Sequence, residues 1–328
     1  MTVRPASVIV CTHNRAHLLP NVIARLRAQD YPAEAFEIIV VDNHSSDLTP
    51  QTVKQFVTEP GADVRYMAEN RVGITFARNR GAEEARHPYL VYLDDDCSVE
   101  PDWLSNLIRG FDLRNDVVAA GGRVVLDWSQ APRPSWLGPR LESWLGANGH
   151  LGFQPLLLDA KTQIMESNMA LKREAWRAAG GFLGMEQFGS RHVSAGEVLY
   201  LLQKLRSQGG QIAFVPQAIA VHLMGTYTRS RFLRRAYWQG VSDAMLDSLL
   251  SRQSWAAGLL SITSDSAAML VFIGCTAFSY LASDQSDAFL HFVRAVRRLG
   301  LVLSRIHLAG DWSRVRSWHS SHHQPGSP

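Results

Sequence analysis

Three adjacent acids, Asp94, Asp95 and Asp96, follow the apolar run Tyr89-Leu90-Val91-Tyr92-Leu93. Like charges at that spacing repel unless something supplies the opposite sign. A divalent cation would do so, because hard cations take oxygen ligands. The same acids would also suit a solvated turn ahead of a helix opening at Pro101, whose first turn welcomes an acid such as Asp102. Two more apolar runs end in polar groups. Ser7–Cys11 leads into Thr12, His13, Asn14 and Arg15, and Glu37–Val41 leads into Asp42. A carboxylate at the end of a strand can accept from a base N–H or a ribose hydroxyl, or cap the next helix. The backbone from Thr12 to Arg15 and the Arg15 guanidinium suit phosphates. No glycine-rich phosphate loop of either common type accompanies them, which counts against a dinucleotide oxidoreductase.

Strands alternating with helices would bring these groups to one place. Leu18–Gln29 carries helical spacing through Leu19, Val22, Ile23 and Leu26, a second helix passes through Val53 and Phe56, Val64–Met67 is a short strand, and Ile74–Arg86 is a helix before Tyr89–Leu93. That alternation predicts βαβ units and a mainly parallel sheet, whose strands deliver ligand-binding groups at their carboxyl ends. Beyond the acids the pattern predicts a helix over Pro101–Phe111 and a strand over Val117–Leu126 interrupted by Gly121-Gly122. A long functional loop rich in Pro, Gly and Trp follows from Trp128 to Gly152. Extended chain over Ser167–Leu171, helices over Glu174–Ala179 and Gly196–Ser207, and a strand over Ile212–Val215 complete the core.

The chain of 328 residues is 46% hydrophobic and 19% charged, an ordinary globular composition, with a net charge of +3 that gives no reason to expect nucleic acid as a partner. Cys11, Cys97 and Cys275 show no knuckle or disulfide spacing, and the amino terminus shows no secretory signal, so a cytoplasmic protein is expected. Arginines cluster between Arg229 and Arg235 and again from Arg294 to Arg316, and between them Ala267–Ala282 is apolar for sixteen residues. That is short of the ~20 needed to cross a bilayer. Amphipathic helices of this kind lie on a membrane surface, pack against a second subunit, or cover the preceding domain. The expected organisation is a catalytic domain over 1–225, a helical extension over 226–317, and a disordered polar tail over 318–328 that holds His319, His322 and His323.

The stretches SVIVCTHNR, IIVVDNHSSD, GITFARNRGAEEA, YLVYLDDDCSVEPDWL, ESNMALKREAWRAAGGF and FVPQAIAVH, in this order, resemble the family 2 glycosyltransferases of the GT-A fold, from about Ala6 to about Leu223. The resemblance implies an α/β fold with a Rossmann-like sheet, a nucleoside-diphosphate sugar as donor, and Mg2+ or Mn2+. It also implies inversion by direct displacement onto a glycan, lipid or small-molecule acceptor. Carried over residue by residue, Thr12 and Asn14 would line the nucleotide cleft, Asp42 would hold the base, and Arg78 would lie near the donor. Asp94 or Asp95 would address the ribose, Asp96 would bind the cation, and His222 resembles a position that completes the metal shell. On the residues alone, Arg78 could instead pair with Glu83 or Glu84, and His222 could be a core histidine.

One position departs from the family pattern. The Glu-Asp pair that begins a later helix supplies the expected base as its Asp, and here GEVLYLLQKL carries Glu197 followed by Val198, with Lys204-Leu205 keeping the register. Either Glu197 serves as base, or Glu186 reaches in from GMEQFGS, or transfer is impaired and the chain is a nucleotide-sugar-binding or assembly subunit. A nucleotidyltransferase is disfavoured because no glycine-rich activating loop stands near the amino terminus.

Overall fold

The computed structural model describes residues 3–160, 162–183, 196–250, 255–281 and 285–322. They fall into two compact units: Met1–Pro132, Glu142–Val193 and Glu197–Thr226 form one, and Arg133–Leu141, Ser194–Gly196 and Tyr227–Pro328 the other.

The first unit begins as the sequence predicts. Strands β1 (Ala6–Thr12), β2 (Phe36–Asp42), β3 (Asp63–Ala68) and β4 (Tyr89–Leu93) are joined by helices α1 (Leu19–Arg27), α2 (Thr49–Val57) and α3 (Ile74–Glu84). The strands pair in parallel in the order β3-β2-β1-β4, with Thr12 opposite Asp42 and Asp42 opposite Ala68, so the carboxyl ends of β1, β2 and β3 are flush. Side chains alternate between two cores, as a pleated strand covered on both faces requires. Val8, Val10, Ile38 and Val40 join α1 and α2, whereas Ile9, Ile39 and Val41 join Ala77 and Ala82 of α3.

The second half of the sheet is mixed. After β5 (Cys97–Val99) and α4 (Trp103–Arg109) come β6 (Val117–Asp127), α5 (Pro139–Glu142), β7 (Leu156–Leu157), β8 (Asn168–Lys172), α6 (Arg173–Ala179), α7 (Glu197–Ser207) and β9 (Gln211–Leu223). Strand β8 enters antiparallel between β4 and β6, so the parallel arrangement predicted from the βαβ repeat covers β1–β4, while β6 and β9 add one more parallel pair. Strand β9 is far longer than the predicted Ile212–Val215. Pro216, which cannot donate to a ladder, falls where the register jumps from Gly122 opposite Val215 to Arg123 opposite Ile219, and the strand resumes beyond it. The extension carries His222 to a place opposite Cys97 of β5, next to the acids. The predicted loop over 128–152 contains short helical turns, and buried Asn148 ties it to β6 by accepting from Val124 N–H (2.7 Å) and donating to Gly122 O (2.9 Å).

The second unit is built on α8 (Arg229–Leu250), α9 (Trp255–Leu281) and α10 (Gln285–His322). Helices α8 and α10 approach closely at Gly240, where a Cβ would fall 1.8 Å from Arg297 O. Asp243 pairs with Arg297 at 2.6 Å, and Asp265 pairs with both Arg298 and Arg305, so these arginines are engaged within the unit. Leu270, Val271, Ile273 and Phe278 of α9 are exposed, and no helix among the described residues is long and apolar enough to cross a membrane. The backbone of α10 is helical through His322, past position 318 where the sequence predicts a disordered tail. Trp312, Val315 and Trp318 keep a helical spacing, and no proline intervenes before Pro325.

Strands β1 to β3 are tied together by one buried carboxylate. Glu37 Oε1 accepts from Ser7 Oγ–H and Arg86 N–H, both at 2.7 Å, and Oε2 accepts from Arg65 at 2.8 Å. Burial alone would raise its pKa, but the Arg86 backbone N–H, the Ser7 hydroxyl and Arg65 overcompensate and hold it below the ordinary carboxylate value. A carboxyl group depressed in the folded state contributes stability that is present above its unfolded pKa and lost as pH falls through the folded value. Glu37→Gln is therefore expected to cost about 1 to 3 kcal/mol at pH 7, with the difference from wild type shrinking below about pH 4. Urea denaturation followed by circular dichroism at both pH values checks this, and an equal deficit at both would contradict it.

Candidate active site

The three acids are held differently: Arg15 is shared by Asp95 and Asp96, and Asp94 faces Arg78. Asp95 is buried and fully engaged: Oδ2 accepts from Thr12 Oγ–H at 2.7 Å and Oδ1 from Arg15 Nη1 at 2.7 Å. The same Arg15 nitrogen donates to Asp96 Oδ2 at 2.8 Å. Asp96 Oδ1, sealed from solvent and without a hydrogen-bond partner, lies 3.3 Å from His222 Nε2. Asp94 keeps 32% of its side-chain surface exposed and stands 4.0 Å from Arg78. Burial tends to raise Asp96, but His222 and Arg15 prevail and hold it below the ordinary range. Asp94 goes the other way. Burial, with Asp96 and Glu166 adding to it against Arg78, pushes it up to about 7.

The loops after β1 and β2 are locked to each other. Asn14 sits in the left-handed region at φ 53°, as a polar side chain that bonds locally can, and exposed His44 does so at φ 61°. Asn14 N–H donates to Ser45 Oγ at 2.8 Å, and Asn14 Oδ1 accepts from Ser46 N–H at 2.7 Å. Asp42 accepts from Ser45 N–H at 2.9 Å and from the Tyr66 hydroxyl at 2.8 Å, which fixes the carboxylate at the sheet edge. The next helix takes its local acid from Asp47, whose Oδ1 accepts from Thr49 N–H at 3.0 Å.

Arg78 is the hub of the opposite wall. Only 4% exposed, it donates to Glu197 Oε1 at 2.6 Å, while the helix partner Glu84 is taken by Arg80 at 2.9 Å. Burial would lower the Arg78 pKa, yet the charges of Glu197, Glu166 and Asp94 hold it above its ordinary value. Glu197 opens α7 and is 4% exposed, its Oε2 sealed without a hydrogen-bond partner, and burial raises its pKa against the pull of Arg78. Val198 packs in the core with Ile9, Leu90 and Leu201, so the position where the family pattern carries Asp is here an apolar contact. Glu186 lies outside the described residues.

Thr12, Asn14, Arg15, Asp42, Arg78, Asp94, Asp95, Asp96, Glu197 and His222 thus belong to one unit, most at or just beyond strand ends. Sequence reasoning missed Glu166. It stands on the turn before β8, and its charge acts on Arg78, Asp94 and Glu197. The available signal was its place at the head of ESNMALK, an acid just before an extended run.

Asp96 with His222 forms a fitting but incomplete donor set for a hard cation: one orphaned carboxylate oxygen beside an imidazole nitrogen. Among the described residues no group of three or more His, Cys, Asp or Glu is arranged to hold a metal ion. Mg2+-type sites commonly use one or two carboxylates and complete the shell with substrate phosphates and water.

The family described as glycosyl transferase family 2 matches residues 7–171. A glucosyl-dolichyl phosphate glucuronosyltransferase of Haloferax volcanii is 28% identical over 76% of this chain and 79% of its own length. The succinoglycan biosynthesis protein ExoM of Rhizobium meliloti is 27% identical over 64% of this chain and 63% of its own. Among solved structures, a mannosyltransferase from Pyrobaculum calidifontis in complex with GDP-Man and Mn2+ aligns with a TM-score of 0.61 at 20% identity, over 91% of this chain and 88% of that one. At that identity the likeness is one of fold, the GT-A arrangement of a curled mixed sheet flanked by helices.

Proposed function

The chain belongs to glycosyl transferase family 2, and from that premise we propose that it moves a sugar, with inversion, from a nucleoside-diphosphate sugar to an acceptor hydroxyl with the help of Mg2+ or Mn2+. The observation that carries this reading is the division of labour in the acid triplet, where Asp95 is committed to Thr12 and Arg15 while Asp96 turns Oδ1 toward His222 Nε2 at 3.3 Å. Asp96 and His222 would hold the cation, which when bound offsets the charge that develops on the departing diphosphate. Asp42 would hold the base, with Thr12 and Asn14 shaping the nucleotide cleft. Asp94, the more exposed acid of the pair proposed for the ribose, would address its hydroxyls. Arg15, now on Asp95 and Asp96, would exchange part of that contact for a phosphate. The acceptor proton would pass to a carboxylate; of the candidates the sequence offers, Glu197 has one oxygen held by Arg78 and the other sealed.

The acceptor would be a glycan, a lipid or a small molecule. The apolar residues that α9 leaves exposed would serve contact with a membrane surface or a second copy of the chain. A second reading, nucleotide-sugar binding without transfer, is favoured by one observation, the burial of Val198 where the family carries its base.

A thermal-shift panel of UDP- and GDP-sugars, with Mn2+ and with EDTA, tests the donor. A ligand at a hundred times its Kd adds about 2.7 kcal/mol, so the matching donor with Mn2+ is expected to raise Tm by roughly 4 to 6 °C. No shift with any donor would contradict the proposal. A shift without release of nucleoside diphosphate would favour the binding subunit.

A further inference from the structure

We propose that Glu166, rather than Glu197, is the carboxylate that takes the proton from the attacking hydroxyl. The inference rests on the transferase reading and names its base. A base must be reachable by the acceptor, stand beside the donor site on the face of the sugar away from the departing diphosphate, and not be spent on another partner. Glu197 fails the first and third conditions. Its Oε1 is 2.6 Å from Arg78 Nη1 and its Oε2 is sealed from solvent. Glu166 is half-buried rather than sealed and, among the described residues, makes no hydrogen bond or ion pair.

Its placement follows from strand pairing. In the antiparallel ladder of β4 and β8, Leu93 lies opposite Asn168, so the chain before Asn168 runs alongside the chain after Leu93. The turn carrying Glu166, closed by Asn168 N–H to Met165 O at 3.1 Å, is thereby brought to the edge where Asp94 emerges. Arg78 and Glu197 both lie within reach of the Glu166 charge, which agrees with that neighbourhood.

The turn is also rigidly anchored. Asn168 is fully buried, its Oδ1 accepting from Trp103 Nε1–H at 2.9 Å and its Nδ2 donating to Arg123 O at 2.9 Å and Ala218 O at 2.8 Å. A Cβ at Gly122 would fall 2.4 Å from that Nδ2, so the glycine leaves the room the amide occupies. A base on so fixed a backbone costs little reorganisation as the proton moves.

In the step, the acceptor oxygen bonds to the anomeric carbon while its proton goes to the Glu166 carboxylate. The anomeric C–O bond breaks, and its electron pair leaves with the nucleoside diphosphate. Arg78 and Glu197 act as a positioning pair that keeps the wall behind this carboxylate in place.

Water and azide separate a base from a positioning residue without any known acceptor, because water must lose a proton on attack and azide need not. With the donor found by thermal shift and with Mn2+ present, Glu166→Gln is expected to bind that donor as wild type does. It should release nucleoside diphosphate to water roughly a hundredfold more slowly or worse. Glu166→Ala is expected to show the same loss, and azide should restore release to within about tenfold of wild type and yield the inverted glycosyl azide. Wild-type rates in Glu166→Gln, or a Glu166→Ala enzyme that binds donor but ignores azide, would overturn the assignment and leave the transferase reading standing. A wild-type protein that binds none of the nucleotide sugars would overturn both.

Discussion

Arg78→Met is expected to destabilise the protein by about 3 to 5 kcal/mol at neutral pH, the usual cost of removing one partner from a buried ion pair. Methionine fills a similar length of apolar space, so the loss is chiefly electrostatic. Glu197 is left in the interior without its counter-charge, and Asp94 and Glu166 lose the positive group on which both act. The sign of the pH dependence follows from burial, which already raises the Glu197 pKa while Arg78 opposes the rise. Without Arg78 the folded pKa climbs further above the unfolded value of about 4.3. A carboxyl group raised on folding favours the folded state while protonated and disfavours it as pH rises toward the folded value. The deficit should therefore be small at pH 5 and large at pH 8. In Arg78→Met/Glu197→Leu most of it should be recovered, since replacing both partners with apolar groups is often neutral. Urea denaturation of the three proteins at both pH values reads this directly. A single-variant deficit below about 1 kcal/mol, or one that does not change with pH, would show that the pair is not what holds this wall.

The parts of the site legible in the sequence are those a strand carries to its own end. Thr12, Asp42 and Asp94–Asp96 each follow an apolar run, and the flush register of β1 and β2 places them as the local pattern predicts. What escaped depends on partners far along the chain. Arg78 and Glu197 are 119 residues apart, and a helix-local reading of Arg78 offers Glu83 or Glu84 instead. Periodicity marks a strand over Ile212–Val215 and the family resemblance another that ends at His222 after Pro216; that the sheet absorbs Pro216 in a register shift and makes them one strand was not legible. Glu166 was hidden for a related reason: only the antiparallel entry of β8, which no periodicity reveals, sets that turn beside Asp94. Val198 was legible as a departure from the family pattern. Its physical basis, an apolar contact with the second core, required the packing of α7.

Asp96→Ala is expected to abolish the metal-dependent part of donor binding while leaving the fold in place. Arg15 keeps Asp95 as a partner after the change, and the half-exposed pair that is lost with Asp96 is worth at most about 1 kcal/mol. The cation, in contrast, would lose the carboxylate oxygen that faces His222 and has no other hydrogen-bond partner, leaving imidazole as the remaining protein donor of the proposed pair. Loss of even an outer-shell partner typically weakens a metal site 10- to 100-fold, so loss of the ligand itself should cost roughly a hundredfold or more. The decisive measurement is a calorimetric titration of UDP and of GDP into wild type and Asp96→Ala, each with Mn2+ and with EDTA. The account predicts that Mn2+ tightens binding of one nucleotide to wild type by at least about a hundredfold and leaves Asp96→Ala at its EDTA affinity. An equal Mn2+ gain in both proteins would contradict it.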